Sequence, residues 1–75
     1  MPHTRTGAEY HTLAAEHHEE AARHHRKAAV YYQEREYAFA AHEAIIAYGH
    51  TRHAVQQANE AGKFHAERYS QEVLK

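Results

Sequence analysis

The chain has 75 residues, ten of them histidine, with no cysteine and a formal net charge of −1 when the histidines are neutral. This length predicts one small domain, residues 1–75, whose core alone supplies only ~3–5 kcal/mol of stability. The lack of cysteine excludes disulfides and thiolate metal sites, which leaves self-association and histidine-bound metal as sources of stability. The near-neutral charge argues against nucleic acid or an anionic membrane as a partner.

Helix is the regular structure that this composition favours. The chain has one proline, Pro2, and three glycines, and its histidines lie among alanine, glutamate, arginine and tyrosine. The first nine residues contain no apolar run, and no later segment is long and apolar enough to span a bilayer. We therefore expect an all-α, soluble and cytoplasmic protein.

The first predicted helix covers about residues 7–34. Thr6-Gly7-Ala8-Glu9 fits the capping-box pattern, in which hydroxyl and carboxylate bond exposed backbone N–H groups. A repeat follows as AAEHHEE, AARHHRK and AAVYYQE, and a seven-residue period keeps one stripe facing a partner helix. His17, His24 and Tyr31 are predicted at the edge of this stripe. A projection at 100° per residue places at its centre Ala14, His18, Ala21, His25, Ala29 and Tyr32.

The second predicted helix covers about residues 37–69 and completes an antiparallel helical hairpin. Alanines resume at 40, 47, 54 and 61, out of step with the first repeat, so EREY (34–37) is interpreted as a turn. Because no glycine or proline marks this turn, one continuous helix is the alternative. The stripe of the second helix predicted to face the first comprises Ala41, Ala44, Tyr48, Thr51, Val55, Ala58, Gly62, His65 and Tyr69.

The second helix also has an apolar face on its other side. One neighbouring helix covers only one side of it, so we expect the hairpin to form a homodimer, giving a four-helix bundle. Scattered exposure of apolar residues is the alternative. The residues predicted to contact the second copy are Phe39, His42, Ile46, His53 and Phe64.

Histidine spacing suggests a metal site built between the helices. Only residues three or four apart on a helix converge on one ion, which favours Glu20 with His17 or His24, and His50 with His53. If the hairpin folds so that residue i lies level with residue 71 − i, the candidate ligands of the first helix meet those of the second. His53, however, is predicted on the face of the second helix that points away from the first. Imidazole suits zinc, copper and nickel. The candidate ligands are His17, His18, Glu20, His24, His50 and His53.

Two functions are consistent with this pattern. One is binding or buffering of divalent transition metals. The other is a structural or interaction protein without a ligand, whose packed histidines resist protonation and loosen the bundle below about pH 6.5. A ferritin-like di-iron site is excluded because Glu-x-x-His does not occur. The chain contains no serine or cysteine nucleophile with an ordered histidine and acid, and it contains no glycine-rich phosphate loop. The sequence therefore does not suggest an enzyme.

The patterns AAEHHE-x-AA-x-HH-x-x-AA, AAHEA and YGHTRHA resemble a group of short, histidine- and alanine-rich bacterial proteins of unassigned function. The similarity covers about residues 14–66. It implies a helical hairpin and implies no activity.

Overall fold

The protein is an antiparallel pair of long helices. The computed structural model describes the backbone of residues 5–74 and the side chains of residues 5–70. Helix α1 is Gly7–Gln33 and helix α2 is Tyr37–Leu74, and the described residues contain no strand. The two helices pack against each other along their length. The predicted all-α hairpin is confirmed, the single continuous helix is wrong, and α2 ends five residues beyond the predicted Tyr69.

Helix α1 begins at a hydroxyl cap. Thr6 has extended backbone angles, and its side-chain oxygen accepts a hydrogen bond from the backbone N–H of Glu9 at 3.2 Å. This bond satisfies one of the N–H groups that the first turn leaves without a partner. The predicted start at Gly7 follows from this cap.

The turn between the helices is closed by backbone hydrogen bonds. The N–H of Glu36 donates to the carbonyl of Tyr31 at 2.8 Å, and that of Arg35 donates to the carbonyl of Tyr32 at 3.1 Å. This pattern is the Schellman motif, whose C′ residue adopts the left-handed conformation that glycine usually supplies. Arg35 takes that place with φ of 62°. Arg35 therefore adopts the backbone conformation that glycine usually has at this position. The absence of a glycine made the turn hard to recognise in the sequence.

The core of the hairpin is a line of alanines. The buried residues among those described are Ala14, Ala21, Ala28, Ala40, Ala47, Ala54 and Ala61, spaced by seven along each helix. Gly7 continues the α1 series, and a Cβ atom there would lie 3.3 Å from Cδ1 of Phe64. We call these eight residues the alanine seam. Since their side chains are at most one methyl group, the seam lets the helix backbones approach closely.

The seam coincides with the predicted α1 stripe at Ala14 and Ala21 and departs from the predicted stripes elsewhere. His18, His25, Ala29 and Tyr32 were predicted at the stripe centre of α1, but all four are exposed, while His17 and His24 are half-buried. The roles predicted for the members of each histidine pair are therefore reversed. A projection at 3.6 residues per turn drifts by about 20° per heptad, whereas the paired helices keep a strict period of seven.

The predicted stripe of α2 is also displaced from the alanine seam. Ala44 and Thr51 lie half-buried beside the seam, and the other seven residues of that stripe are exposed. The predicted dimer face is affected as well, because part of it contacts α1 of the same chain. Phe39 lies 5.5 Å from Tyr31 between ring centroids, and Phe64 lies against Gly7. Over the described residues, neither helix combines the length and apolar character that crossing a membrane requires.

Candidate metal site

One edge of the alanine seam collects titratable side chains from both helices. The positions three residues after buried alanines hold His17 and His24 on α1 and Glu43 and His50 on α2. Because the helices run antiparallel and share one seven-residue period, these positions meet on the same side of the hairpin. The seam therefore determines which polar residues face each other.

Four imidazole rings form a row along this edge. The His24 and His50 ring centroids are 5.7 Å apart and nearly parallel, with 11° between their planes. His50 lies 5.4 Å from His17, and His17 stacks on His53 at 5.0 Å. We call His24, His50, His17 and His53 the histidine row. Its members alternate between α1 and α2, so the row joins the two helices.

The hydrogen bonds of His24 determine its tautomer. Its Nδ1 pairs with the carboxylate of Glu43, and its Nε2 lies 3.2 Å from Nη2 of Arg23 and 3.8 Å from Oε2 of Glu20. A guanidinium only donates hydrogen bonds, so Nε2 of a neutral His24 accepts and the proton resides on Nδ1. The Nε2 lone pair then accepts from Arg23, and the Glu20 carboxylate lies nearby. This is the form of histidine that a metal binds.

Glu20, His24 and His50 come together as a possible ligand set. One ligand atom of each lies within 4.8 Å of the others. Tetrahedral zinc ligands, at bond lengths of 2.0–2.2 Å, lie about 3.4 Å apart, so the three groups would have to move closer together to hold an ion. The His24 side chain is 12% exposed and that of Glu20 is 43% exposed, so the site is open to solvent on the Glu20 side.

His50 also has a partner that can orient it. Its Nδ1 lies 3.2 Å from Nδ1 of His17, so one ring donates and the other accepts. When His50 is the donor, its Nε2 is unprotonated and available to an ion. His17 and Glu43 therefore stand behind the two histidine ligands, in the positions where metal-binding histidines normally have hydrogen-bond partners.

The charges beside the row favour ionised carboxylates. The guanidinium of Arg23 donates to Oε2 of Glu20 at 2.7 Å, which lowers the pKa of that carboxyl and raises the pKa of Arg23. The hydrogen bond from His24 lowers the pKa of Glu43. Both carboxylates are thus anionic at neutral pH, and one guanidinium shares the space next to the candidate ligands.

Five of the six predicted ligands lie together. His17, Glu20, His24, His50 and His53 share this edge, and the ring of His53 stacks on that of His17 although it was predicted on the far face of α2. His18 is the exception, since it is exposed one position farther around α1.

Sequence reasoning missed Glu43 and Arg23. Glu43 lies one heptad before His50, so the alanine repeat of α2 contained a signal for it. Arg23 was not among the predicted site residues.

Comparisons of the chain with protein families, with curated proteins and with solved structures found no match.

Proposed function

We propose that this protein binds a divalent transition metal, zinc, copper or nickel, between its two helices, as a binding or buffering module. The observation that carries the proposal is the convergence of Glu20, His24 and His50, with ligand atoms within 4.8 Å of one another. Two imidazoles and a carboxylate are borderline-to-hard ligands suited to these ions. The ion would bridge α1 and α2.

The surroundings of the ligands support a metal role. Glu43 accepts the Nδ1 proton of His24, and a carboxylate behind a histidine ligand orients the ring and makes it more basic. His17 provides the corresponding contact to His50, and His53 stacks behind His17. His17 and His53, which were predicted as ligands, therefore act in this proposal as positioning residues, whereas His18 takes no part.

The guanidinium of Arg23 lies next to two of the three candidate ligand groups. Its Nη2 lies 2.7 Å from Oε2 of Glu20 and 3.2 Å from Nε2 of His24, so it bonds two of the three candidate ligand groups. An arriving dication must displace this guanidinium. Such competition keeps the affinity moderate, which suits a buffer that takes up and releases its ion.

The row itself favours a second candidate function, an interaction protein whose histidines pack and need no ligand. The stacked rings and the hydrogen bond between His24 and Glu43 already join α1 to α2 without an ion. In that case protonation of the row would weaken the hairpin in acid, because neighbouring imidazolium ions repel one another. Metal binding predicts a defined stoichiometry when a metal is titrated into the protein, whereas packing alone predicts none.

Calorimetric titration with zinc, copper and nickel at about pH 7.5 tests the proposal. We expect one ion per chain for at least one of these metals. His50→Ala removes a ligand and should weaken binding at least tenfold. Glu43→Gln should weaken it by ~10–100-fold, the usual effect of losing a partner behind a histidine ligand.

His42→Ala is the matched control, since His42 is exposed and outside the row. Its titration should equal that of the wild type. Weak heats without a defined stoichiometry, or equal losses in His42→Ala and His50→Ala, would leave packing as the function of the row.

A further inference from the structure

We infer that a second copy of this chain covers the side of the hairpin opposite the histidine row, which makes the protein a dimeric four-helix bundle. This inference is independent of the proposed metal site. The surface consists of the residues one and four positions after each member of the alanine seam. We call it the uncharged face: Ala8, His11, Ala15, His18, Ala22, His25, Ala29, Tyr32, Ala41, Ala44, Tyr48, Thr51, Val55, Ala58, Gly62 and His65.

Helix geometry places these sixteen residues on one side. Positions three residues after the seam meet at the histidine row, as the contacts of His17 with His50 and of His24 with Glu43 show. In an antiparallel pair, positions one and four residues after the seam then lie on the opposite side for both helices. Ala22, Ala44 and Thr51 are half-buried there, and the other thirteen residues are exposed.

The composition of this face is unlike that of a solvated surface. Lysine, arginine, aspartate and glutamate make up 25% of the chain, so about four are expected among sixteen residues. The uncharged face contains none of them. Exposed helix surfaces normally carry charged residues, and a face without them is a contact surface. Tyr48 and Val55 remain 60% and 50% exposed on it.

The hairpin needs more buried surface than the seam provides. Each seam alanine buries one methyl group, worth about 0.8 kcal/mol, against about 1.5–3 kcal/mol for a buried leucine or valine. The accessible surface is 5989 Å², whereas a compact monomer of 8.7 kDa has about 4,700 Å². Two helices form one layer, and stable domains pack at least two layers. A second hairpin supplies the missing layer.

The shape and chemistry of the face select a second copy as the occupant. The molecule measures 60 × 25 × 14 Å, and a broad side of this size exceeds the ~800 Å² that each partner buries in a stable complex. The guanidinium of Arg52 lies 5.9 Å from the ring centroid of Tyr48. None of the sixteen residues of the uncharged face, however, is lysine, arginine, aspartate or glutamate, so the face offers little to a nucleic acid or a charged peptide. It does complement itself, because a two-fold axis can set the tyrosine and valine of α2 against the alanine rows of α1 in the other copy.

The test is the molar mass of the full chain in solution, measured by sedimentation equilibrium at about pH 7.5 with a chelator present. The wild type should have twice the mass of the chain. Val55→Glu places an unpaired charge inside the proposed interface and should yield a monomer. Gln56→Glu introduces the same side chain at the next position, outside the face, and should remain a dimer.

Two outcomes of this test overturn the inference. One is a wild type with the mass of a single chain. This outcome overturns the inference even if that monomer binds vesicles of anionic lipid in a separate assay. The other is a Val55→Glu variant that is still a dimer, because the interface then lies elsewhere.

If Val55→Glu fails to fold, thiol reactivity gives a second test. The chain has no cysteine, so Val55→Cys and Gln56→Cys each carry a single thiol. In the dimer, alkylation at position 55 should be several-fold slower than at position 56, and the difference should vanish on dilution to monomer. Equal rates at concentrations where the wild type is a dimer contradict the proposed face.

Discussion

Two neighbouring residues of the same type have different surroundings in this protein. His17 and His24 lie beside the alanine seam and contact α2, whereas His18 and His25, the next residue in each pair, are exposed on the uncharged face. A rotation of about 100° along the helix separates the two members of a pair. The histidines of this chain therefore differ in role, and among the described residues the converging ring nitrogen atoms lie on the row side.

Arg23 provides the most specific prediction at this scale. Arg23→Gln removes the guanidinium that bonds Glu20 and lies on Nε2 of His24, so zinc no longer competes with a positive charge. We expect zinc affinity to increase several-fold in calorimetric titration. Arg26→Gln removes the same charge from an exposed position away from the ligands and should change the affinity much less. Unchanged or weaker binding in Arg23→Gln would contradict the proposed site.

At the scale of elements, the alanine seam determines which side chains of α1 and α2 meet. The period of seven in both helices keeps the seam aligned along the hairpin, and the positions that follow it by three residues meet at every heptad. His24 therefore faces Glu43, and His17 faces His50 one heptad away. The candidate site is a consequence of helix pairing, with no loop involved.

The turn offers a test of the hairpin itself. Arg35 has a positive φ, which is unfavourable for a residue with a Cβ atom, whereas glycine adopts it freely. Arg35→Gly should raise the free energy of unfolding by ~0.5–1 kcal/mol, measured by urea denaturation at a fixed protein concentration. Glu36→Gly, next to it and without a positive φ, should lower the free energy of unfolding. A destabilised Arg35→Gly would show that the turn has another conformation.

The sequence predicted the helices and the turn well because local signals mark them. The capping pattern at Thr6 and the change of alanine phase at residues 34–37 depend only on near neighbours. The facing surfaces were only partly right. Ala14 and Ala21 were predicted at the stripe centre and are buried, but the projection at 3.6 residues per turn then selects Ala29 in place of Ala28, and the predicted α2 stripe starts from Ala41 in place of Ala40. The spacing within α2 places Glu43 one heptad before His50, but its pairing with His24 depends on the register between the two helices.

At the scale of the whole molecule, the two broad sides of the hairpin differ in chemistry. One edge carries the histidine row with Glu20, Glu43 and Arg23, and the opposite side carries the uncharged face. An ion bound to both helices stabilises the folded state in proportion to the logarithm of its concentration. A second copy contributes buried surface instead. The two proposals are therefore separable by adding a chelator or by dilution.

Acid should destabilise the folded molecule through its two perturbed carboxylates. Hydrogen bonds from Arg23 and His24 lower the pKa values of Glu20 and Glu43 from 4.5, so the unfolded chain binds more protons in this range. This contribution to stability is fully present above about pH 4.5 and is lost as the pH falls through the lowered values. In thermal melts, these two groups should therefore lower the midpoint only as the pH falls below about 4.5.

Glu43→Gln should reduce the slope of this acid loss, because one of the two titrating groups is removed. Glu67→Gln is the control, since Glu67 is exposed, and its slope should match that of the wild type. Identical slopes in all three proteins would show that the His24–Glu43 pair does not form.

The central claim is that the alanine seam brings imidazoles of both helices to one ion, and the imidazole nitrogen signals test it most directly. Long-range ¹H–¹⁵N spectra can be recorded as zinc is added to one equivalent. We predict that Nε2 of His24 and a nitrogen of His50 shift together to metal-bound values, while His18 and His65 stay unchanged. Similar small shifts at all histidines, or none at His24 and His50, would contradict the account.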